Sequence, residues 1–248
     1  MSGAGAAPPR ATRIQRAGPA EVAEALEGRA PVRLVLAAAQ PRDAAVDALR
    51  RRARALGVPV HAASPNTLRR LSRCHPPAEI LALLGPPPDA GEAEVLAAGG
   101  AAWLLVGTAY PGNTGFAIRT AEVSGADGIF VDNGFDHEAR REATRAAMRA
   151  DRFLPVFWGD GLRTLRAARG AGRRVLALED SGDAAPWQVD LTGPVLFVVG
   201  GERDGIPDAL LGEADRVLRI PMLGFIPSYN LQAAMAAAAS ERIRQLYS

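Results

Sequence analysis

Short apolar runs and helically spaced apolar residues alternate along this chain. Val32–Ala38 is an apolar stretch of strand length, broken only by Arg33. Arg42–Leu56 then places Ala45, Leu49, Ala53 and Leu56 on one helical face, and Gly57 ends the helix. Val58–Ala62 and Glu79–Leu84 read as further strands, Asn66–Ser72 as a helix between them, and Glu21–Glu27 as a short helix ahead of them. The run Gly85-Pro86-Pro87-Pro88-Asp89-Ala90-Gly91 stops the pattern, because consecutive prolines fix φ and remove amide donors. Beyond it the alternation resumes. Strands are expected at Trp103–Gly107, Gly128–Val131, Pro155–Phe157, Arg174–Leu178, Val195–Val199 and Val217–Ile220. Helices are expected at Thr114–Ser124, Glu138–Arg149, Gly161–Ala168 and Tyr229–Leu246. The pattern predicts an α/β protein in two parts. Residues 1–19, rich in Gly, Ala and Pro, form a disordered tail; 20–85 form a small α/β domain; 86–91 are a linker; 92–248 form a larger α/β domain with a mostly parallel sheet. Such sheets bind ligands at the carboxyl ends of their strands, near a switch point.

Composition narrows the function classes. The chain has 248 residues, 48% hydrophobic and 23% charged, enough for a sizeable core. No apolar run approaches the ~18 residues that a membrane span needs. The N-terminus lacks a charged region followed by an apolar core, so no secretory signal is read. A single cysteine, Cys74, excludes an internal disulfide, has no nearby base, and fits a cytoplasmic protein. All 29 basic residues are arginine, which rules out a Walker A loop and a Schiff-base lysine. His75 and His137 have no partners at metal-ligand spacing, so no metal is expected. Residues 1–85 hold 13 arginines against 6 acidic residues, whereas 86–248 hold 16 against 21. A basic module joined to an acidic one points to a polyanionic partner; the alternative is that Arg10, Arg13 and Arg16 merely charge a loose tail. Arg141, Arg145, Arg149 and Arg152 fall at helical spacing, as an RNA-facing row or as a solvated face. Trp158 and Trp187 read as core or interface residues.

Three motifs carry candidate chemistry. Asn113-Thr114-Gly115 followed by Arg119 lies after the first strand of the larger domain, where Asn113 is placed to cap a helix. Gly200-Gly201-Glu202-Arg203-Asp204-Gly205 follows the strand Val195–Val199, and its adjacent glycines let a backbone approach a ligand. The spacing of Gly200, Gly201 and Gly205 does not match the dinucleotide fingerprint, which argues against an ordinary nucleotide-binding enzyme. Ile220-Pro221-Met222 leads through a loop to Ser228-Tyr229-Asn230, where Ser228 is a good cap for the last helix.

In this order and spacing the motifs resemble the TrmH/SpoU branch of the SPOUT methyltransferases, over Trp103 to the C-terminus. The first part resembles that family's L30e-like substrate-binding domain through Gly28-Arg29, Val32–Ala38 and Leu68-Arg69-Arg70-Leu71-Ser72. The resemblance implies a SPOUT domain with a deep trefoil knot, working as a homodimer with the active site between subunits. It implies S-adenosyl-L-methionine as cofactor, held around Gly200, Gly201, Gly205, Ile220, Met222 and Tyr229. It also implies methylation of a ribose 2′-hydroxyl in RNA, with ribosomal RNA favoured over tRNA. Arg119 matches the residue assigned to the hydroxyl. A guanidinium keeps its protons and is a poor base, so stabilising alkoxide charge or gripping a phosphate suits it better. Asn113, Ser228 and Asn230 would orient the hydroxyl, and Glu202 would fix the cofactor or a target loop. The chain departs from the family at Gly107-Thr108-Ala109-Tyr110-Pro111-Gly112, at Tyr229 and at Gln232. The changes at Tyr229 and Gln232 motivate a second reading, a catalytically inactive homologue that binds RNA.

Overall fold

The computed structural model describes residues 13–28, 32–226 and 228–248. They fall into two units that divide between Pro87 and Pro88. The expectations for residues 1–12, Arg29 and Pro227 lie outside the described residues.

The first unit is a four-stranded sheet with helices on both faces. Its elements are β1 (Ile14–Ala17), α1 (Pro19–Glu27), β2 (Val32–Ala38), α2 (Ala44–Ala55), β3 (Val60–Ala63), α3 (Pro65–Leu71) and β4 (Ile80–Leu84). The strand order is β1-β4-β2-β3; β2 pairs with β3 in parallel, and β4 runs antiparallel to β1 and β2. Val22, Leu26, Val46 and Leu49 of α1 and α2 cover one face together with Val35 and Ile80. Leu68 of α3 covers the other with Ala38 and Leu81. Asp43 caps α2 by accepting from the Ala45 amide at 2.8 Å, and Ser64 caps α3 by accepting from Thr67 at 3.2 Å. The expected tail is corrected here. Residues 14–17 form an edge strand, because pairing with β4 satisfies backbone groups that composition alone leaves unaccounted for.

The second unit holds α4 (Glu92–Ala97), β5 (Ala101–Val106), α5 (Pro111–Val123), β6 (Gly128–Asp132), α6 (His137–Ala146), β7 (Val156–Trp158), α7 (Gly161–Gly170), β8 (Arg174–Leu178), β9 (Val195–Gly200), α8 (Asp208–Leu211), β10 (Arg216–Leu218) and α9 (Leu231–Tyr247). Six parallel strands stand in the order β10-β8-β9-β5-β6-β7. The unbroken apolar runs of β5 and β9 reflect burial on both faces. Trp103, Leu105 and Phe197 face α5 and α9, whereas Ala102, Leu104 and Val198 face α4 and α7. Trp103 stacks on Phe197 with ring centroids 4.6 Å apart.

The amino ends of the central strands are joined by one buried ion pair. Arg173 lies 2.9 Å from Asp127, both side chains fully buried. Its guanidinium also donates to the carbonyls of Leu96 and Gly100 at 2.8 Å, Val195 at 3.0 Å, Val95 at 2.6 Å and Ala98 at 2.7 Å. These bonds satisfy its five donors and also serve the exposed carbonyl end of α4. Asp127 in turn accepts from the Gly100 amide at 2.8 Å.

Several elements differ from the sequence reading, some of them for a clear local reason. Helix α5 starts at Pro111, a residue suited to the first helical position, so Asn113 lies inside the helix and does not cap it. Helix α6 ends at Ala146, and Met148 and Arg149 adopt φ of 52° and 62°, which turns the chain so that Leu154 is buried ahead of β7. The turn breaks the helical row of Arg141, Arg145, Arg149 and Arg152. Helix α9 starts at Leu231 with Asn230 before it, so Ser228 is not its cap. The six-residue α4 is absent from the sequence pattern, since its apolar positions are too few to show a period. Trp187 is 58% exposed, and no helix of the described residues is long and apolar enough to cross a membrane.

Removing one partner of the buried pair leaves an uncompensated charge. Asp127→Ala is expected to lower unfolding stability by about 3–5 kcal/mol in urea titration. A loss under about 1 kcal/mol would show that the carbonyls alone carry the guanidinium.

Candidate active site

The carboxyl ends of β5, β8, β9 and β10 meet at the position where parallel sheets bind ligands. Here glycines permit contacts that any side chain would block. A Cβ on Gly201 would strike the Gly107 carbonyl, and one on Gly200 would strike the backbone of Gly205. Gly205 itself has φ of +65°. The β9 loop therefore lies flat against the end of β5. The glycine of the first motif acts elsewhere. A Cβ on Gly115 would meet the Ala143 carbonyl and Ala146, so Gly115 lets α5 pack against α6.

A cavity of about 430 Å³ opens beside this contact. Apolar walls come from Leu178, Val199, Leu218, Ile220, Met222 and Leu231. Gly200, Gly201 and Gly205 add bare backbone, and Ser228, Tyr229 and Asn230 close the far side. Glu179, Asp180 and Glu202 bring three carboxylates to the lining against the single guanidinium of Arg203. Apolar walls with an acidic rim suit a flat, partly apolar ligand that carries positive charge.

Glu202 is the hinge of the site. Its Oε1 accepts from Asn113 Nδ2 at 2.6 Å and its Oε2 from the Ala109 amide at 3.1 Å. One carboxylate thus ties the β9 loop to the β5–α5 segment. That segment is pinned beneath by buried Thr108, whose hydroxyl lies 2.9 Å from that of Thr114 and accepts from Asn133 Nδ2 at 2.8 Å. Glu179 acts similarly at the other end of the loop, accepting from the Ile206 amide at 3.0 Å. Tyr229 Oη donates to the Pro221 carbonyl at 3.3 Å and so joins the two ends of the segment between β10 and α9. Arg203 lies over the Tyr110 ring, and its pKa is raised above the ordinary arginine value by the Tyr110 side chain, with Asp204 and Glu202 adding to the effect.

Of the residues singled out from sequence, Gly200, Gly201, Glu202, Gly205, Ile220, Met222, Ser228, Tyr229 and Asn230 all line this one cavity. Asn113 reaches it through Glu202. Arg119 does not line it: it is exposed on α5 and donates to Met148 Sδ at 3.1 Å. Sequence reasoning missed Glu179 and Asp180, although both follow directly on strand β8, at the carboxyl end where ligand-facing residues fall. It also missed Arg203, hidden within the glycine motif. Among the described residues no group of three or more His, Cys, Asp or Glu side chains is arranged to hold a metal ion.

A parallel α/β sheet with a glycine-lined cavity that carries carboxylates at its strand ends defines a small-molecule-binding domain. More narrowly, the chain belongs to the SpoU rRNA methylase family, whose sequence model matches residues 102–240. It is 33% identical over 156 residues to the 23S rRNA (guanosine-2′-O-)-methyltransferase RlmB of Xylella fastidiosa, a match covering 60% of this chain and 61% of that protein. The chain thus spans less than two thirds of that relative's length. Among solved structures it is similar to the SpoU methyltransferase AviRb of Streptomyces viridochromogenes in complex with AdoMet, at 25% identity and a TM-score of 0.54, over 95% of this chain and 91% of that one. It is also similar to an AdoMet-bound rRNA methyltransferase of Sinorhizobium meliloti, at 25% identity and a TM-score of 0.57, over 96% and 89% of the two chains.

The geometry makes two contacts open to measurement. Glu202→Ala is expected to speed hydrogen exchange of the Ala109 amide roughly tenfold, the equivalent of about 1.4 kcal/mol; unchanged exchange would separate the two loops. Gly201→Ala is expected to cost about 1–3 kcal/mol of unfolding stability through the clash with Gly107, read by thermal or urea unfolding.

Proposed function

We propose that the chain is an S-adenosyl-L-methionine-dependent RNA methyltransferase that modifies a ribose 2′-hydroxyl, in ribosomal RNA ahead of tRNA, in the cytoplasm. The observation that carries this reading is the convergence of the second and third motifs on one cavity, with Glu202 linking them to Asn113 of the first, 89 positions away in sequence. The cavity fits the cofactor by its own chemistry. Apolar walls suit an adenine, bare glycine backbone allows close approach, and the carboxylates of Glu179, Asp180 and Glu202 meet a sulfonium and an amine. When bound, the cofactor supplies an activated methyl group. The residues of this chain position the acceptor: Asn113, Ser228 and Asn230 orient the hydroxyl, and Glu202 holds Asn113 and the loop in place.

Arg119 lies on the outside of the single chain, so the proposal includes a homodimer in which Arg119 enters the site of the partner. Phe116, Val123 and Met148, all exposed and apolar, support an α5-centred contact. There a guanidinium stabilises the developing alkoxide or holds the neighbouring phosphate. Residues 20–85 are proposed as an L30e-like RNA handle, with exposed Arg51, Arg54, Arg69 and Arg70 facing the polyanion. The proposal also includes the trefoil knot that the family resemblance implies.

The test is transfer of a tritiated methyl group from the cofactor to ribosomal RNA, followed by alkaline hydrolysis. Label in alkali-resistant dinucleotides supports the reading; cofactor binding with no transfer to any RNA favours the inactive RNA-binding homologue. Arg119→Ala is expected to lower kcat about 10²–10³-fold while the cofactor affinity holds. Mixing it with a Gly200→Val chain is expected to restore part of the activity, since a shared dimer then contains one intact site.

A further inference from the structure

Against Arg203 of the cavity wall lies an aromatic side chain that the proposed chemistry leaves unused. Tyr110 directly precedes α5 and is 50% exposed. The Arg203 guanidinium carbon lies 5.7 Å from the centroid of its ring. Arg203 lines the cavity and Tyr110 does not, so the ring stands next to a residue of the pocket wall. The backbone beneath the ring is held on both sides. Glu202 accepts from the Ala109 amide at 3.1 Å and from Asn113 at 2.6 Å, Thr108 is buried, and Pro111 fixes φ just after the ring.

Single-stranded RNA is read by stacking unpaired bases on aromatic rings, with guanidinium groups stacking beside them or meeting the phosphates. A half-exposed tyrosine on pinned backbone, with a pocket-lining guanidinium across it, has those parts. We propose that Tyr110 and Arg203 form a stacking platform for a nucleobase of the RNA strand that enters the site. This rests on the reading of the chain as an RNA-directed enzyme. It adds a base-recognition element distinct from the residues assigned to the cofactor and the ribose.

The test uses the full chain and a 10-residue single-stranded oligoribonucleotide containing one 4-thiouridine. Fluorescence anisotropy gives its affinity, calorimetry gives that of S-adenosyl-L-methionine, and light scattering gives the oligomeric state. A base stacked on an aromatic ring contributes about 1–3 kcal/mol, so Tyr110→Ala is expected to weaken oligonucleotide binding about 5- to 150-fold. Tyr110→Phe, which keeps the ring, retains most of the affinity. Cofactor affinity and oligomeric state hold in both variants, and the thiouridine cross-link maps to the peptide carrying Tyr110. The proposal is overturned by wild-type oligonucleotide affinity in Tyr110→Ala, by a matching loss of cofactor affinity, or by a change of oligomeric state that places Tyr110 in a subunit contact. Absence of cofactor binding in the unaltered chain overturns the enzyme reading instead, and the stacking result is scored separately from it.

Discussion

The seam between β5 and β9 is the constraint on which the second unit depends. The two strands run in parallel register from Ala101 opposite Val195 to Val106 opposite Gly200. At their amino ends the seam is closed by Arg173, which bonds the carbonyls of Gly100 and Val195 and pairs with Asp127. At their carboxyl ends it is closed by the contact of Gly201 with Gly107. A buried charge pair is a poor source of net stability, but it penalises any register that leaves the charge unpaired. The register it accompanies is the one that brings the two upper loops together. The cavity, the Glu202 bridge and the pinned segment around Thr108 all stand on that register.

The motif residues divide between architecture and chemistry. Gly115 serves helix packing, and Gly200 and Gly201 serve backbone approach. Glu202, Ser228 and Asn230 present exposed polar groups at the cavity. The same motif can therefore look ordinary in isolation, as a capped helix or a glycine turn, and still be specific in combination. The fold draws the second and third motifs to one cavity, and Glu202 ties the first to it.

Much of this is legible in the sequence because it depends on local pattern. The apolar runs of β5 and β9 mark a sheet buried on both faces, and the proline run marks the break in periodicity. The glycine pair after β9 marks a close backbone approach. Other features depend on tertiary partners and leave no local trace. Residues 14–17 become a strand only through β4. Arg173 looks like any surface arginine until five carbonyls and a carboxylate surround it. Asn113 and Ser228 look like caps because polar residues before apolar runs usually are. In the fold both are set elsewhere, one inside α5 and one in the loop before α9. The placement of Arg119 outside the cavity is not readable from its spacing, since helical spacing gives a face and not what that face meets.

The central claim is that the cavity formed by the ends of β8, β9 and β10 and the segment leading to α9 is the cofactor site. A crystal structure of the chain grown with S-adenosyl-L-methionine tests it most directly. The adenine is expected against the apolar wall of Leu178, Val199 and Leu218, with the backbone of Gly200 and Ile220 within hydrogen-bonding reach and the sulfonium on the side of Glu202 and Asn113. Cofactor bound at another place on the fold, or a cavity that stays empty at saturating cofactor, would contradict it.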